Sequence, residues 1–363
     1  MRSREVLLNP GPVTLTDRVR NALLRPDQCH REPEFAELTS RILRGIEAVY
    51  DARPPRHDAV LVTGSGTCAV EAMVASLVPR DAPALVAANG FYGERIAAML
   101  AAQGKACTVV RSEWLDPIDL EGVGTALQRR AFGAVIAVHH ETTIGRLNQL
   151  DALGRLCRDA GVPMLLDAVS SFGAEAIDWE GWHLGAVAAT ANKCLHGVPG
   201  VSFVLADREL LHARRGSAPS LYLDLVPYHA AQRQGWSPYT QAVHACFALD
   251  EALAELTDEG GWGARGALYR ARTERVRRGL AEAGIEALLP ASDGASMLTS
   301  FRLPVGVSYA ELHGRLKRAG YVIYAGQGRL EAEFFRIATM GAITEADLDR
   351  VVAEIGAAAG AAR

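Results

Sequence analysis

Lys193 sits in the stretch Ala189–Gly200, ATANKCLHGVPG, directly behind the apolar run LGAVAAT. An amine drawn out of water there has a lowered pKa, and its neutral form attacks carbonyl carbons. Taken alone, such a lysine reads equally well as one whose stem reaches back to solvent. Asp167 lies 26 positions earlier and closes the apolar run in MLLDAVSSFG. A carboxylate at a buried strand end needs a partner, and a helix cap or an ion pair would also serve. TGSGTCAVEAM, residues 63–73, turns on glycines and then offers the hydroxyls of Ser65 and Thr67 where a helix begins, a natural seat for an anion. No Gly-Lys-Ser/Thr follows, so the loop is not of the nucleoside-triphosphate type. ANGFYGER brings Phe91 and Tyr92 behind another apolar run, where an aromatic can stack on a flat ring. VHHETTIG brings Glu141, Thr142 and Thr143 behind a third. Neighbouring residues of an extended chain point opposite ways, so His139 and His140 are poorly placed to share one metal ion.

These segments share a position: each follows a short continuous apolar run. AVLVTG, ALVAA, CTVVR, AVIAVH, PMLLDA, AVAAT and VSFVLA read as buried strands, and amphipathic stretches between them, such as ERIAAMLAAQG, read as helices. That alternation predicts an α/β fold with a mostly parallel sheet covered by helices on both faces. In such sheets ligands bind beyond the carboxyl ends of the strands. After about Tyr239 the pattern changes to long helical stretches, interrupted at DEGGWG. The run TSFRLP, the helix SYAELHGRLKRAG, the strand YVIYA, the run FFRIA and a last helix from Thr344 follow. The expected organisation is an N-terminal arm over 1–15, a large domain over 16–260 and a small C-terminal α+β domain over 261–363, whose Ala/Gly-rich end GAAAGAAR is expected to fray.

The chain has 363 residues, enough for a large and a small core together. A net charge of −4 without blocks of like charge gives no support to nucleic-acid or membrane-surface binding. The six cysteines, Cys29, Cys68, Cys107, Cys157, Cys194 and Cys246, form no CxxC pair and read as reduced, mostly buried thiols. With no apolar stretch of signal-peptide or membrane-span length, the expectation is a cytoplasmic protein.

Together the segments ask for one ligand with a phosphate, a flat ring, a ring nitrogen needing an anionic partner and an aldehyde needing an amine. Pyridoxal 5′-phosphate has all four. A nicotinamide dehydrogenase is disfavoured because no GxGxxG follows the first strand. From LNPGPVTLTDRV to FFRIATMG the chain resembles the class V, fold-type-I pyridoxal-phosphate aminotransferases. Within them it is most similar to the 2-aminoethylphosphonate–pyruvate branch. GSGTCAVEA, NGFYGER, HHETTIGRLN, DAVSSFGA, ANKCLHGVPG, SLYLDL and VIYAGQG carry the likeness. HREPEF at His30 is shared with the serine– and alanine–glyoxylate branch.

The resemblance implies roles by position. Lys193 joins the cofactor aldehyde and later moves protons. Asp167 pairs with the pyridinium nitrogen and Tyr92 stacks on the ring. Ser65, Gly66 and Thr67 hold the phosphate, and Asn192 lies near it. Thr142 lies near the phenolic oxygen, and Val169 belongs to the cofactor's surroundings. Arg336 in FFRIA binds the acidic group of the substrates, with Gly11 and Arg31 as further substrate-side candidates. The resemblance also implies a homodimer with shared active sites, in which Ser237 and Thr240 of GWSPYTQAV reach the partner's cofactor phosphate. Two departures stand out: Ile144 replaces a third threonine, and Pro219 stands where the phosphonate branch has an arginine, for which Arg31 is the candidate substitute. The implied reaction converts 2-aminoethylphosphonate and pyruvate to phosphonoacetaldehyde and L-alanine, and the alternative is alanine/serine–glyoxylate transamination. A cysteine desulfurase would need a nucleophilic cysteine on a C-terminal loop, and the last cysteine, Cys246, falls in a helical stretch. A catalytically silent relative would lack Lys193, Asp167 or Arg336, and all three are present.

Overall fold

The computed structural model describes residues 5–51 and 53–361. Seven strands form the central sheet in the order His57–Gly64, Gly200–Asp207, Leu184–Thr190, Met164–Asp167, Ala134–Val138, Ala84–Ala88, Cys107–Arg111. Gly200–Asp207 runs antiparallel to both neighbours, and the remaining pairings are parallel. The apolar runs are continuous because both faces are covered. Leu85, Ala87, Val135, Ala137 and Leu166 point to one core, while Val86, Ala88, Ile136, Val138 and Leu165 point to the other. The first core is closed by the helices Pro33–Glu47, Asp151–Asp159 and Val243–Asp258, and the second by Gly66–Leu77 and Phe91–Ala102. Each fully buried aliphatic side chain contributes about 1.5–3 kcal/mol, so the alternation also fixes which way each strand end presents its last residue.

The 22-residue helix Gly261–Glu282 leads to a second unit, a three-stranded antiparallel sheet with Phe334–Ala338 between Leu298–Arg302 and Tyr324–Ala325. Two further helices, Tyr309–Arg318 and Glu345–Ala361, cover it. YVIYA is not one strand. Tyr321–Val322 pairs with Val6–Leu7, Tyr324–Ala325 pairs with Phe334–Ala338, and Ile323 between them is buried in the core. The N-terminal segment is thereby stitched into the C-terminal unit, since Val6 and Leu8 pack in its core and Leu8 O accepts from Ala338 N at 2.7 Å. The last helix continues to Ala361 instead of fraying early, because Val351, Ile355 and Ala359 bury one of its faces. Only three of the six cysteines, Cys157, Cys194 and Cys246, are buried. Cys29 is exposed in the turn before Pro33–Glu47, and all six are free thiols.

Candidate active site

The strand ends converge on Lys193. Its loop is pinned from below by the fully buried Arg265, which donates from Nη1 to Cys194 O at 2.9 Å and to Leu195 O at 3.3 Å. His196, held at a φ of 66°, accepts on Nε2 from Gly341 N at 2.9 Å and is bonded to Tyr269 Oη. The C-terminal unit thus fixes where the lysine starts. From above, Lys193 Nζ donates to Pro10 O of the N-terminal segment. Gly11 backs directly onto the side chain: a Cβ there would stand 2.6 Å from Lys193 Cδ and 2.9 Å from Nζ, at a φ of +132° that a larger residue would strain. The structure therefore places Gly11 against the lysine. Burial pulls the amine down to about 8, with Arg336 acting the same way and Asp167 opposing.

Asp167 ends the strand Met164–Asp167, and its Oδ1 accepts from Val169 N at 3.0 Å. Burial pushes its carboxyl up to about 6, while the Val169 amide, Lys193 and Arg95 pull the other way. Ser65 is the N-cap of the helix Gly66–Leu77, and its side chain makes no capping bond. The first N–H groups of a helix, here those of Gly66 and Thr67, have no intrahelical acceptor. A Cβ on Gly66 would come within 2.5 Å of Val169 Cγ1, so backbone alone fits there. Asn192 accepts on Oδ1 from Thr190 Oγ1 at 2.8 Å beside this turn.

Tyr92 opens the helix Phe91–Ala102, whose N-terminus is capped from the loop after Ala134–Val138. Glu141 Oε2 accepts from Tyr92 N and Thr143 Oγ1 accepts from Phe91 N, both at 3.2 Å. Glu141 also accepts from Thr143 N and Oγ1. It is fully buried, and its carboxyl is pushed up to about 7 by that burial. Thr142 O accepts from Arg336 Nη1 at 3.0 Å, and the buried Thr142 hydroxyl has no partner among the described residues. Arg336 also donates to Ala325 O at 2.8 Å and Gln327 Oε1 at 3.2 Å. No ion pair among the described residues includes Arg336, so a buried guanidinium is held in place by neutral acceptors.

His139 and His140 diverge. The His139 ring packs edge-on to Trp182, and His140 Nδ1 bonds Ser170 O at 3.1 Å. Burial pushes them down to about 3 and about 4, so both are neutral. Among the described residues no group of three or more His, Cys, Asp or Glu side chains is arranged to hold a metal ion. The predicted positions Arg31 and Thr240 are both exposed, Arg31 in the turn before Pro33–Glu47 and Thr240 three residues before the helix Val243–Asp258. Ser237 is buried and accepts on Oγ from Gln241 Nε2 at 2.6 Å. Glu141, Gln327 and Arg95 enter the site without having been assigned from sequence. The position of Glu141 behind an apolar run was the available signal for it.

The arrangement fits pyridoxal 5′-phosphate: a neutral-prone amine for the aldehyde, a carboxylate for the ring nitrogen, an uncapped helix start for the phosphate and an unpartnered hydroxyl in Thr142. Residues 21–339 match the family model described as aminotransferase class-V. The chain is 34% identical to a 2-aminoethylphosphonate–pyruvate transaminase of Pseudomonas entomophila, over 97% of this chain and 96% of that one. It is 36% identical to one of Burkholderia thailandensis, again over 97% and 96%. Among solved structures, an alanine–glyoxylate aminotransferase from Nostoc superposes with a TM-score of 0.91 at 25% identity, covering 98% of this chain and 96% of that one. An aspartate aminotransferase from Thermus thermophilus gives 0.89 at 26%, covering 99% and 100%. This chain is an aminotransferase and belongs to the class-V family.

Proposed function

We propose that the protein transfers the amino group of 2-aminoethylphosphonate to pyruvate, releasing phosphonoacetaldehyde and L-alanine. The observation that carries this reading is Arg336, a buried guanidinium without a carboxylate partner among the described residues, held by Thr142 O, Ala325 O and Gln327 Oε1 and near enough to Lys193 to lower its pKa. A planar fork of donors in that state suits an acidic group, phosphonate in one half-reaction and carboxylate in the other. The names of the relatives at 34–36% identity support phosphonate as the donor's acid.

When bound, pyridoxal 5′-phosphate supplies an electron sink that acidifies the donor's amine-bearing carbon. The chain's own residues do the rest. Ser65, Gly66, Thr67 and Asn192 hold the phosphate, Tyr92 and Val169 flank the ring, and Asp167 keeps its nitrogen protonated. Lys193 Nζ takes the proton from the donor carbon and returns it, a role suited to an amine near neutrality. Arg336 orients both substrates by their acidic groups. The same reading includes a homodimer in which Ser237 and Thr240 serve the partner's site. Leu221, Tyr222 and Trp236, 79%, 40% and 42% exposed in the neighbouring segment, are the apolar surface it would cover.

The test is an absorbance titration of the cofactor-loaded protein without keto acid. Loss of the visible band with 2-aminoethylphosphonate and with L-alanine, but not with L-serine, is expected. Loss with L-serine and none with 2-aminoethylphosphonate would overturn the phosphonate assignment in favour of the glyoxylate branch.

A further inference from the structure

NGFYGER ends on a charged residue, Arg95, that touches neither Lys193 nor Arg336. Arg95 lies one turn after Tyr92 on the helix Phe91–Ala102. Its guanidinium carbon stands 4.8 Å from the ring centroids of both Phe91 and Tyr92. Its Nη1 donates to Thr67 Oγ1 at 3.4 Å, across to the start of the helix Gly66–Leu77. None of the ion pairs formed by the described residues includes it. The rings hold the guanidinium by cation–π attraction without neutralising it. Its charge reaches the pocket, since Asp167 is pulled toward its ionised form by Arg95 as well as by Lys193.

The phosphate seat lacks such a charge. A phosphate monoester carries nearly two negative charges at neutral pH. Ser65 and Thr67 offer neutral hydroxyls, and a helix start supplies only about half a unit of positive charge. Lys193 is committed to the aldehyde, and Arg336 is tied to Thr142, Ala325 and Gln327 on the substrate side. An oxygen bonded to the Thr67 hydroxyl at ~2.8 Å lies no farther than about 6 Å from Arg95 Nη1. The Arg95–Thr67 contact is exposed in the cofactor-free chain, and opposite charges about 6 Å apart attract by about 0.7 kcal/mol in water and about 3 kcal/mol at a protein surface that bound cofactor covers.

We propose that Arg95 is a cofactor-binding residue that supplies the positive charge opposite the phosphate of pyridoxal 5′-phosphate, with Phe91 and Tyr92 holding its guanidinium in place. A purely mechanical role, bracing the Tyr92 ring, would affect any ligand that stacks there. A charge role affects only a ligand with a phosphate.

The experiment titrates cofactor-free protein with pyridoxal 5′-phosphate and, separately, with pyridoxal, following the absorbance of bound ligand. Arg95→Gln should weaken the phosphate ester about tenfold, while Arg95→Lys retains most of the affinity. Pyridoxal should bind the unsubstituted protein and both variants alike. The salt dependence of phosphate-ester binding should be shallower in Arg95→Gln than in the unsubstituted protein. Equal weakening of both ligands would assign Arg95 to bracing the ring and overturn the proposal, as would unchanged binding of the phosphate ester. Should Arg95→Gln fail to fold, Arg95→Met keeps an apolar stem against the two rings and is read by the same outcomes.

Discussion

Cofactor capture by Lys193 should rise with pH up to about 8 and then level off. An ordinary lysine, at 10.5, is about 0.03% neutral at pH 7, whereas an amine at about 8 is about 10% neutral. The reactive fraction is therefore about 300-fold larger at pH 7 than exposure to water would allow. Stopped-flow mixing of cofactor-free protein with pyridoxal 5′-phosphate, followed in the visible, reads that fraction as a rate. The rate should increase about tenfold between pH 7 and the plateau. The stability of the cofactor-free protein checks the same pKa independently. Folding lowers the pKa of this base, so the buried positive charge costs stability in full below pH 8. The cost vanishes as pH approaches the unfolded value of 10.5. The stability gap between the protein and its Lys193→Met variant should accordingly shift in the protein's favour over that window. A capture rate that keeps climbing to pH 10, with a flat stability gap, would show that burial does not tune this amine.

Other expectations follow from neighbouring contacts. Arg336→Lys loses the planar fork, so KM for both acidic substrates should rise about 10- to 100-fold while cofactor affinity in a direct titration stays unchanged. Glu141→Ala strands the Tyr92 and Thr143 N–H groups in a dry site and should lower stability by about 2–4 kcal/mol in denaturant unfolding. Glu141 has a raised pKa, so its contribution is fully present below the unfolded 4.5 and is lost as pH rises through about 7. Glu141→Gln should remove that slope from the stability curve. Gly66→Ala sets a Cβ against Val169 and should weaken pyridoxal 5′-phosphate about tenfold by absorbance titration, through about 1–3 kcal/mol of overpacking.

How much of this was legible in the sequence depends on the range of the interaction that fixes each residue. The parallel sheet was readable because both its faces are buried, which leaves runs such as ALVAA and AVIAV without a polar break. Lys193, Asp167, Ser65 and Tyr92 stand out in the sequence as candidates because each lies at or just beyond the end of such a run and has chemistry that its position does not need for folding. The division of YVIYA between two sheets was not readable, since it depends on Val6–Leu7, more than 300 positions away, pairing with Tyr321–Val322. The same long-range pairing brings Pro10 and Gly11 onto Lys193, a contact that no spacing within LNPGPV announces.

Glu141 shows most sharply why a sequence hides part of a site. Within HHETTIG it is one polar residue among several, and its chemistry alone would suggest an acid or a base. In the structure it bonds no basic side chain. Its two oxygens take the N–H groups of Tyr92 and Thr143 and the Thr143 hydroxyl, and it lies so close under Gly90 that a Cβ there would be 2.3 Å away. A carboxylate at a helix start favours the helix by its charge and its acceptors together. The helix so capped carries Tyr92 and, one turn on, Arg95. The next peptide of the same loop, through Thr142 O, holds Arg336. One buried side chain therefore sets the placement of Tyr92 relative to Arg336, although it occupies neither place. This explains why the glycine before FYGER and the glutamate 51 residues later belong to one design: the space that Gly90 leaves is the space that Glu141 fills.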